Sequence, residues 1–178
     1  LSSLTIGKGV TSIGSSAFYN CDGLTSVIIP DAVTSIGSSA FESCSNLSSV
    51  TIGKGVTSIG ERVFYDCDGL TSIVIPDAVT SIGESAFYSC SNLSSVTLGK
   101  DVTSIGSYAF EYCDGLTSIV IPSSVTSIRS SAFSGCENLT NVYYNGTIED
   151  WCNITFDDYF SNPMFYAQHF YMLDENEE

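Results

Sequence analysis

Hydrophobic positions along this chain follow a strand-like alternation broken at short, regular intervals. In Leu24-Thr25-Ser26-Val27-Ile28-Ile29, the residues predicted to face inward are Leu24, Val27 and Ile29. Ser26 and Ile28 then face outward, because successive strand side chains point to opposite faces. Pro30, or Gly53 in the following unit, ends that strand. Val33-Thr34-Ser35-Ile36 predicts a second short strand with Val33 and Ile36 inward. Gly37-Ser38-Ser39-Ala40-Phe41 reads as a turn or a single 3-10-like helical turn, too short for a stable helix. Phe41 and Cys44 are expected to plug the core.

This unit repeats. Phe18, Phe41, Phe64, Phe87, Phe110 and Phe133 recur every 23 residues, and Cys21, Cys44, Cys67, Cys90, Cys113 and Cys136 follow them at the same interval. Leu1, Leu24, Leu47, Leu70, Leu93, Leu116 and Leu139 mark the unit starts. One unit cannot bury its own apolar face, so units must stack into a solenoid with two parallel sheets. A longer period lies on top. Gly-Lys units (Gly7-Lys8, Gly53-Lys54, Gly99-Lys100) alternate with Pro-Asp units (Pro30-Asp31, Pro76-Asp77), so the duplicated element is a 46-residue pair. Stacking predicts each Lys beside an Asp of a neighbouring coil, at strand spacing of about 4.8 Å.

The patterns Leu-x-x-Val-x-Ile-Pro, Val-x-x-Ile-Gly and Ala-Phe-x-x-Cys cover residues 1 to about 146. In them the chain resembles the BspA-like, or treponemal-type, leucine-rich-repeat family. The resemblance implies a leucine-rich-repeat solenoid, mostly β with short turns. It would be a right-handed superhelix of six 23-residue coils with a parallel sheet on its concave face. It also implies a non-catalytic adhesion or protein-binding module at the surface of a bacterial cell or secreted from it. The partner would be a protein, or a glycan, of the host or extracellular matrix. Two positions depart from the pattern: Val63 stands for the usual Ala and Arg129 for the usual Gly. The Arg129 position is therefore not expected to require positive φ.

Regular repetition ends near Asn145-Gly146, a turn signal. Residues 147–178 are expected to form a small α+β cap packed on the solenoid. They hold eight acidic residues, no Lys or Arg, and Trp151, Phe156, Tyr159, Phe160, Phe165, Tyr166, Phe170 and Tyr171. Thr147 is a candidate helix N-cap with acids following, Pro163 a candidate first helical residue, and Phe170-Tyr171-Met172-Leu173 a candidate strand. Asp174 to Glu178 reads as a frayed end. Burying the open apolar layer is the expected role of these aromatics, and a carbohydrate platform is the sharper alternative. The segment also resembles a module between repeat blocks in the same family, so further repeats are expected beyond residue 178.

Charge narrows the function classes. With 20 Asp and Glu against 5 Lys and Arg, the net charge is −15, which disfavours nucleic acid and anionic membranes as partners. No apolar run reaches 18 residues, so no membrane-spanning helix is expected, and no export signal opens the chain. A monomer without cofactors is expected. The Cys spacing matches no compact zinc pattern, and each ladder Cys sits among Phe and Leu, where it acts as a small hydrophobe. Cys152 lies outside the ladder and is expected to be buried beside Trp151 and Ile154. A Cys152–His169 dyad would need a cleft and an oxyanion site that nothing in the sequence marks, so no enzyme is predicted. Asp22, Asp68 and Asp114 recur every second coil, about 10 Å apart and too far for joint calcium chelation.

The candidate binding surface is the outward row of the first sheet. It comprises Ser3, Thr5, Ser26, Ile28, Ser49, Thr51, Ser72, Val74, Ser95, Thr97, Ser118, Val120, Asn141 and Tyr143. The row is uncharged, with no large aromatic before Tyr143, which predicts weak or avidity-dependent binding. A purely structural spacer is the alternative.

Overall fold

The computed structural model describes residues 4–173. Ser3 and the expected frayed end lie outside the described residues.

Each coil has three sides. The first carries strands Leu4–Thr5, Ser26–Ile28, Ser49–Thr51, Ser72–Val74, Ser95–Thr97, Ser118–Pro122 and Asn141–Asn145. The second carries Ser12–Ile13, Ser35–Ile36, Ser58–Ile59, Ser81–Ile82, Ser104–Ile105 and Ser127–Ile128. Paired strands are parallel and the register steps one unit per coil, as Val27 opposes Val50 and Ser81 opposes Ser104. The ladder is interrupted once on each side, between Ser49–Thr51 and Ser72–Val74 and between Ser35–Ile36 and Ser58–Ile59. The alternation predicted from the apolar pattern places the residues correctly. Leu24, Val27, Ile29, Val33 and Ile36 are buried, while Ser26 and Ile28 are exposed.

The third side, from the Gly after the second strand to the Cys, is neither strand nor helix. Two positions per coil lie in the left-handed region: Ser16, Ser39, Arg62, Ser85, Tyr108 and Ser131, and then Asn20, Ser43, Asp66, Ser89, Tyr112 and Gly135. Apart from Gly135 these are non-glycine residues, which pay a steric cost there. The hydrogen bonds show what offsets it. In every coil three N–H groups point at the next coil: those of Ser39, Phe41 and Ser43 donate to the carbonyls of Glu61, Val63 and Tyr65 at 3.0, 3.0 and 2.7 Å. The intervening N–H groups close local turns, as from Ala40 to Gly37 at 3.3 Å. Alternating local and inter-coil bonding requires the chain to reverse its twist, and the left-handed residues supply that reversal. Gly14, Gly37, Gly60, Gly83 and Gly106, in the position that Arg129 also occupies, do not have positive φ, as expected.

Core packing repeats with the coil. The six Phe rings form one stack with centroids 5.2–5.6 Å apart. Cys44, Cys67, Cys90, Cys113 and Cys136 are buried free thiols, and each Sγ lies 3.1–3.2 Å from the carbonyl oxygen of the Phe one coil earlier, to which it donates. The residue is thus a small hydrophobe that also satisfies a core carbonyl.

The 46-residue pairing has a steric cause. A Cβ on Gly53 would stand 2.4 Å from the Pro30 carbonyl carbon, and one on Gly99 2.3 Å from the Pro76 carbonyl oxygen. Pro30 and Pro76 press so closely on the next coil that a Cβ at Gly53 or Gly99 has no room, whereas at the third Pro coil the strands run on through Pro122 and Asn145 takes this position. Asp31 Oδ1 accepts the backbone N–H of Lys54 at 2.8 Å, and Asp77 that of Lys100 at 3.1 Å. The expected Lys–Asp side-chain pairing is therefore corrected: no Lys makes an ion pair among the described residues, because the carboxylate is directed to the backbone. A second alternation follows the Cys. Asn46, Asn92 and Asn138 donate through Nδ2 to the carbonyls of Asp22, Asp68 and Asp114 at 2.7–2.8 Å. Gly69 and Gly115, which follow Asp68 and Asp114, lie where a Cβ would meet the preceding backbone at 2.7–2.8 Å.

Winding does not stop at Gly146. Thr155–Phe156 adds a strand to the second side and His169–Met172 one to the first. Ser127 opposes Thr155, a separation of 28 residues instead of 23, and the helix Ile148–Cys152 accounts for the excess. Thr147 caps that helix as expected: its hydroxyl accepts the Asp150 N–H, and Asp150 accepts the Thr147 N–H. The acidic aromatic segment is thus a seventh, lengthened turn, with two 3-10 turns at Tyr159–Ser161 and Pro163–Phe165. It also completes the third side, where Ser131, Phe133 and Gly135 carry the last forward-pointing N–H groups. Those groups donate to the Asp158 carboxylate (3.0 and 3.1 Å), the Phe160 carbonyl (2.9 Å) and the Tyr166 hydroxyl (3.1 Å). Trp151 and Phe170 cover Tyr144 and close the core.

Candidate functional site

Parallel register aligns the outward residues of the first side into two rows. Ser26, Ser49, Ser72, Ser95, Ser118 and Asn141 form one. Thr5, Ile28, Thr51, Val74, Thr97, Val120 and Tyr143 form the other. The residues from Ser26 to Thr97 are exposed, whereas Ser118, Val120, Asn141 and Tyr143 are half-buried. Ile28 and Val74 are notable because they leave 64% and 67% of their surface in water despite being β-branched apolar residues. Sequence reasoning missed the end of both rows. His169 opposes Asn141, and Tyr171 opposes Tyr143 with ring centroids 5.0 Å apart and planes at 17°. The aromatic run Phe170 to Leu173 signalled a strand, but not its register.

Beside the second row lies a trough that recurs with the 46-residue pair. One stretch, of about 870 Å³, is lined by Thr51, Val74, Ile75, Pro76, Asp77, Ala78, Lys54 and Lys100 among others. Another, of about 670 Å³, is lined by the residues 46 positions earlier, including Thr5, Ile28, Ile29, Pro30, Asp31, Ala32, Lys8 and Lys54. Its floor is apolar and its rim carries both signs of charge. All three lysines of the chain stand on this rim.

The candidates for chemistry are not assembled. Cys152 is exposed, not buried as expected, because the short helix turns it away from the Trp151 face. His169 is exposed on the first side, and no hydrogen bond joins it to Cys152 among the described residues. Asp22 and Asp68 accept hydroxyl protons from Ser45 (3.0 Å) and Ser91 (2.8 Å), so their carboxylates serve coil stacking. No group of three metal-ligating side chains occurs among the described residues, and no helix there is long and apolar enough to cross a membrane.

Comparison with known proteins agrees with this architecture. The family model for the BspA-type leucine-rich-repeat region matches residues 1–116 and 57–165, in six copies. The solved leucine-rich-repeat protein of T. pallidum is similar at 35% identity and a TM-score of 0.73, over 75% of this chain and 62% of that one. A leucine-rich-repeat protein of Bacteroides ovatus is similar at 37% identity and a TM-score of 0.70, over 75% of this chain and 35% of that one. A leucine-rich cell surface protein of Faecalibacterium prausnitzii is similar at 36% identity and a TM-score of 0.65, over 88% of this chain and 35% of that one. The chain therefore spans from about a third to about three-fifths of these relatives' lengths. Comparison with curated proteins gives no match. With the family model spanning nearly the whole chain and the coil geometry in agreement, the chain belongs to the BspA-type leucine-rich-repeat family.

Proposed function

We propose that this chain is a non-catalytic adhesion module of a bacterial surface or secreted protein, and that it binds an extended segment of a host or matrix protein along its first side. The observation that carries the reading is the recurring trough, where Ile28 and Val74 stand exposed beside hydroxyl rows. Exposed β-branched residues at a fixed spacing offer an extended chain apolar contact at intervals, and the hydroxyls offer hydrogen bonds to its backbone. A similar protein is described as a leucine-rich cell surface protein, which supports the location. Without a concentrated aromatic or Arg anchor in the exposed part of the row, single-module affinity is weak and repetition supplies avidity.

Binding to an array of matrix proteins and glycans tests this. Saturable binding that is abolished by Ser72→Arg together with Thr97→Arg supports it. Absence of binding to every member, with the folded chain confirmed by circular dichroism, would favour a spacer that displays other domains.

A further inference from the structure

The exposed apolar residues of the first side keep a period of their own. Ile28 and Val74 stand two coils apart, and Val120 and then Tyr171 continue the series at the same two-coil step. Tyr171 joins it even though the inserted helix shifts its place in the sequence, because it opposes Tyr143, which opposes Val120. Ile28, Val74 and Tyr171 are exposed and Val120 is half-buried. Thr51 and Thr97 fill intervening coils, and the ring of Tyr143 is stacked on Tyr171, so that pair forms a single anchor. The trough has the same step: Ile28, Ile29 and Pro30 line one stretch as Val74, Ile75 and Pro76 line the other.

Val74, Val120 and Tyr171 belong to one unbroken ladder of five parallel strands, so strand pairing sets their spacing. Each coil adds about 4.8 Å and each two-coil step about 9.6 Å. A polyproline II chain returns a side chain to the same face at every third residue, or about every 9.3 Å. A β-strand does so about every 6.6 Å, and is nearly half a period out after one step. An α-helix does so at every seventh residue, or about every 10.5 Å. Over the two steps from Val74 to Tyr171 the polyproline II chain slips by about 0.6 Å and the α-helix by about 1.8 Å. Polyproline II also leaves its carbonyls without internal partners. Thr51, Ser72, Ser95 and Thr97 place exposed hydroxyl donors beside the anchors.

We infer that the first side is a receptor for a proline-rich segment of a partner protein, held as a polyproline II helix with an apolar side chain at every third residue and laid across the strands along the solenoid axis. This rests on the first side being the binding face, and adds the conformation and period of what binds there. One side chain in three seats against Ile28, Val74, Val120 and Tyr171, and the hydroxyls donate to the ligand's carbonyls. Such a segment is already extended before it binds, so little ordering entropy is lost on a face without a deep pocket.

The test is a titration of the isotope-labelled full chain, read by amide chemical shifts, with an end-capped peptide of four Leu-Pro-Pro triplets. The control has the same composition, but its four leucines alternate with the first four prolines. It keeps the polyproline II conformation while no two successive leucines share a face. Saturable shifts centred on Val74, Thr97 and Val120 are expected, with the triplet peptide about ten-fold tighter than the control. Val74→Thr together with Thr97→Val keeps the composition of the row and its β-branched character but moves one anchor off the two-coil step. It should weaken the triplet peptide by about five-fold or more. Equal affinity for the two peptides, shifts centred away from the first side, or parental binding of the triplet peptide by the exchanged variant in folded form would overturn the inference. Matrix-protein binding that Ser72→Arg with Thr97→Arg abolishes, in a chain that binds neither peptide, overturns this inference alone. Absence of both kinds of binding removes the reading it rests on as well.

Discussion

Tyr144 takes the position that Ile29, Ile52, Ile75, Leu98 and Ile121 hold in earlier coils. It is fully buried, and its hydroxyl has no hydrogen-bond partner among the described residues. A desolvated hydroxyl without a partner costs about 1–3 kcal/mol. Tyr144→Phe is therefore expected to leave unfolding free energy unchanged or raise it by about 1 kcal/mol, read from the urea midpoint at constant slope. The ladder thiols make a second residue-level prediction. Burial pushes the Cys44 thiol up to about 11 and the Cys136 thiol up to about 12. A thiol-specific reagent at pH 8 should modify Cys21 and Cys152 in the native chain and reach the five buried thiols only on unfolding. The pH dependence has a definite sign. An unfolded thiol loses its proton near about 8.5, whereas the folded one keeps it to higher pH. Between those values the unfolded state binds fewer protons, so stability falls as pH rises, by up to about 1.4 kcal/mol per thiol per pH unit. Denaturant titrations at pH 8 and pH 10 check this, and equal midpoints would contradict it.

Among elements, the strands were the most legible. Alternation fixes which face of Leu24 to Ile29 is buried, and the recurrence of Phe and Cys fixes where coils stack. The third side was not legible, because Ser16, Asp66 or Tyr108 carries no local signal for left-handed backbone. That conformation is imposed by three forward-pointing N–H groups that must find carbonyls in the next coil. Winding beyond Gly146 was hidden for a related reason: an inserted helix shifts the period, so the sequence rhythm breaks while the ladders continue. Arg62 donates through Nη2 and Nε to Glu42 at 2.6 and 3.0 Å, with its Cζ 3.7 Å from the centroid of the Tyr65 ring, and this clamp was missed because Glu42 meets Arg62 only across coils. Asp158 carries the third ladder across this break. Asp158→Ala removes acceptors from Ser131 N–H and Ser161 N–H, and should cost about 1–3 kcal/mol. Hydrogen exchange should localise the loss to the Ser131 and Phe133 amides, and protection unchanged there would refute the capping role. Steric pairing gives a second contrast. Gly53→Ala should destabilise by about 1–3 kcal/mol because its Cβ would meet Pro30, whereas at Gly60 the nearest atom is the Ile36 carbonyl oxygen at 3.3 Å and Ala should be tolerated.

For the whole molecule, stability is approximately a sum of coil terms and nearest-neighbour interfaces, so each coil is felt only through the two that flank it. In this chain the interfaces are not interchangeable. A Pro-Asp coil must be followed by a Gly-Lys coil, since Gly53 admits the Pro30 backbone and Lys54 offers its N–H to Asp31. Likewise Gly69 must follow Asn46, because a Cβ at Gly69 would stand 2.8 Å from the Asn46 carbonyl carbon. Deleting residues 47–92 joins Asn46 to Leu93 and removes one complete pair, so every remaining interface keeps its proper neighbour. Deleting residues 47–69 removes one coil and joins Asn46 to Leu70. It stacks Pro76 on Pro30, Asp77 on Asp31 and Asn92 on Asn46, sets two carboxylates side by side, and puts Cβ-bearing residues where Gly53 and Gly69 stand, at which a Cβ would meet the backbone at 2.4 and 2.8 Å. The shorter chain should therefore be the more stable one, by about 2–6 kcal/mol from two overpacked contacts at about 1–3 kcal/mol each. Urea unfolding of the two deletions, followed by far-ultraviolet circular dichroism, measures the order directly. Simple dependence on coil number predicts the reverse ranking, and finding that ranking would mean that the 46-residue pair is only a trace of duplication, without a role in holding the coils in register.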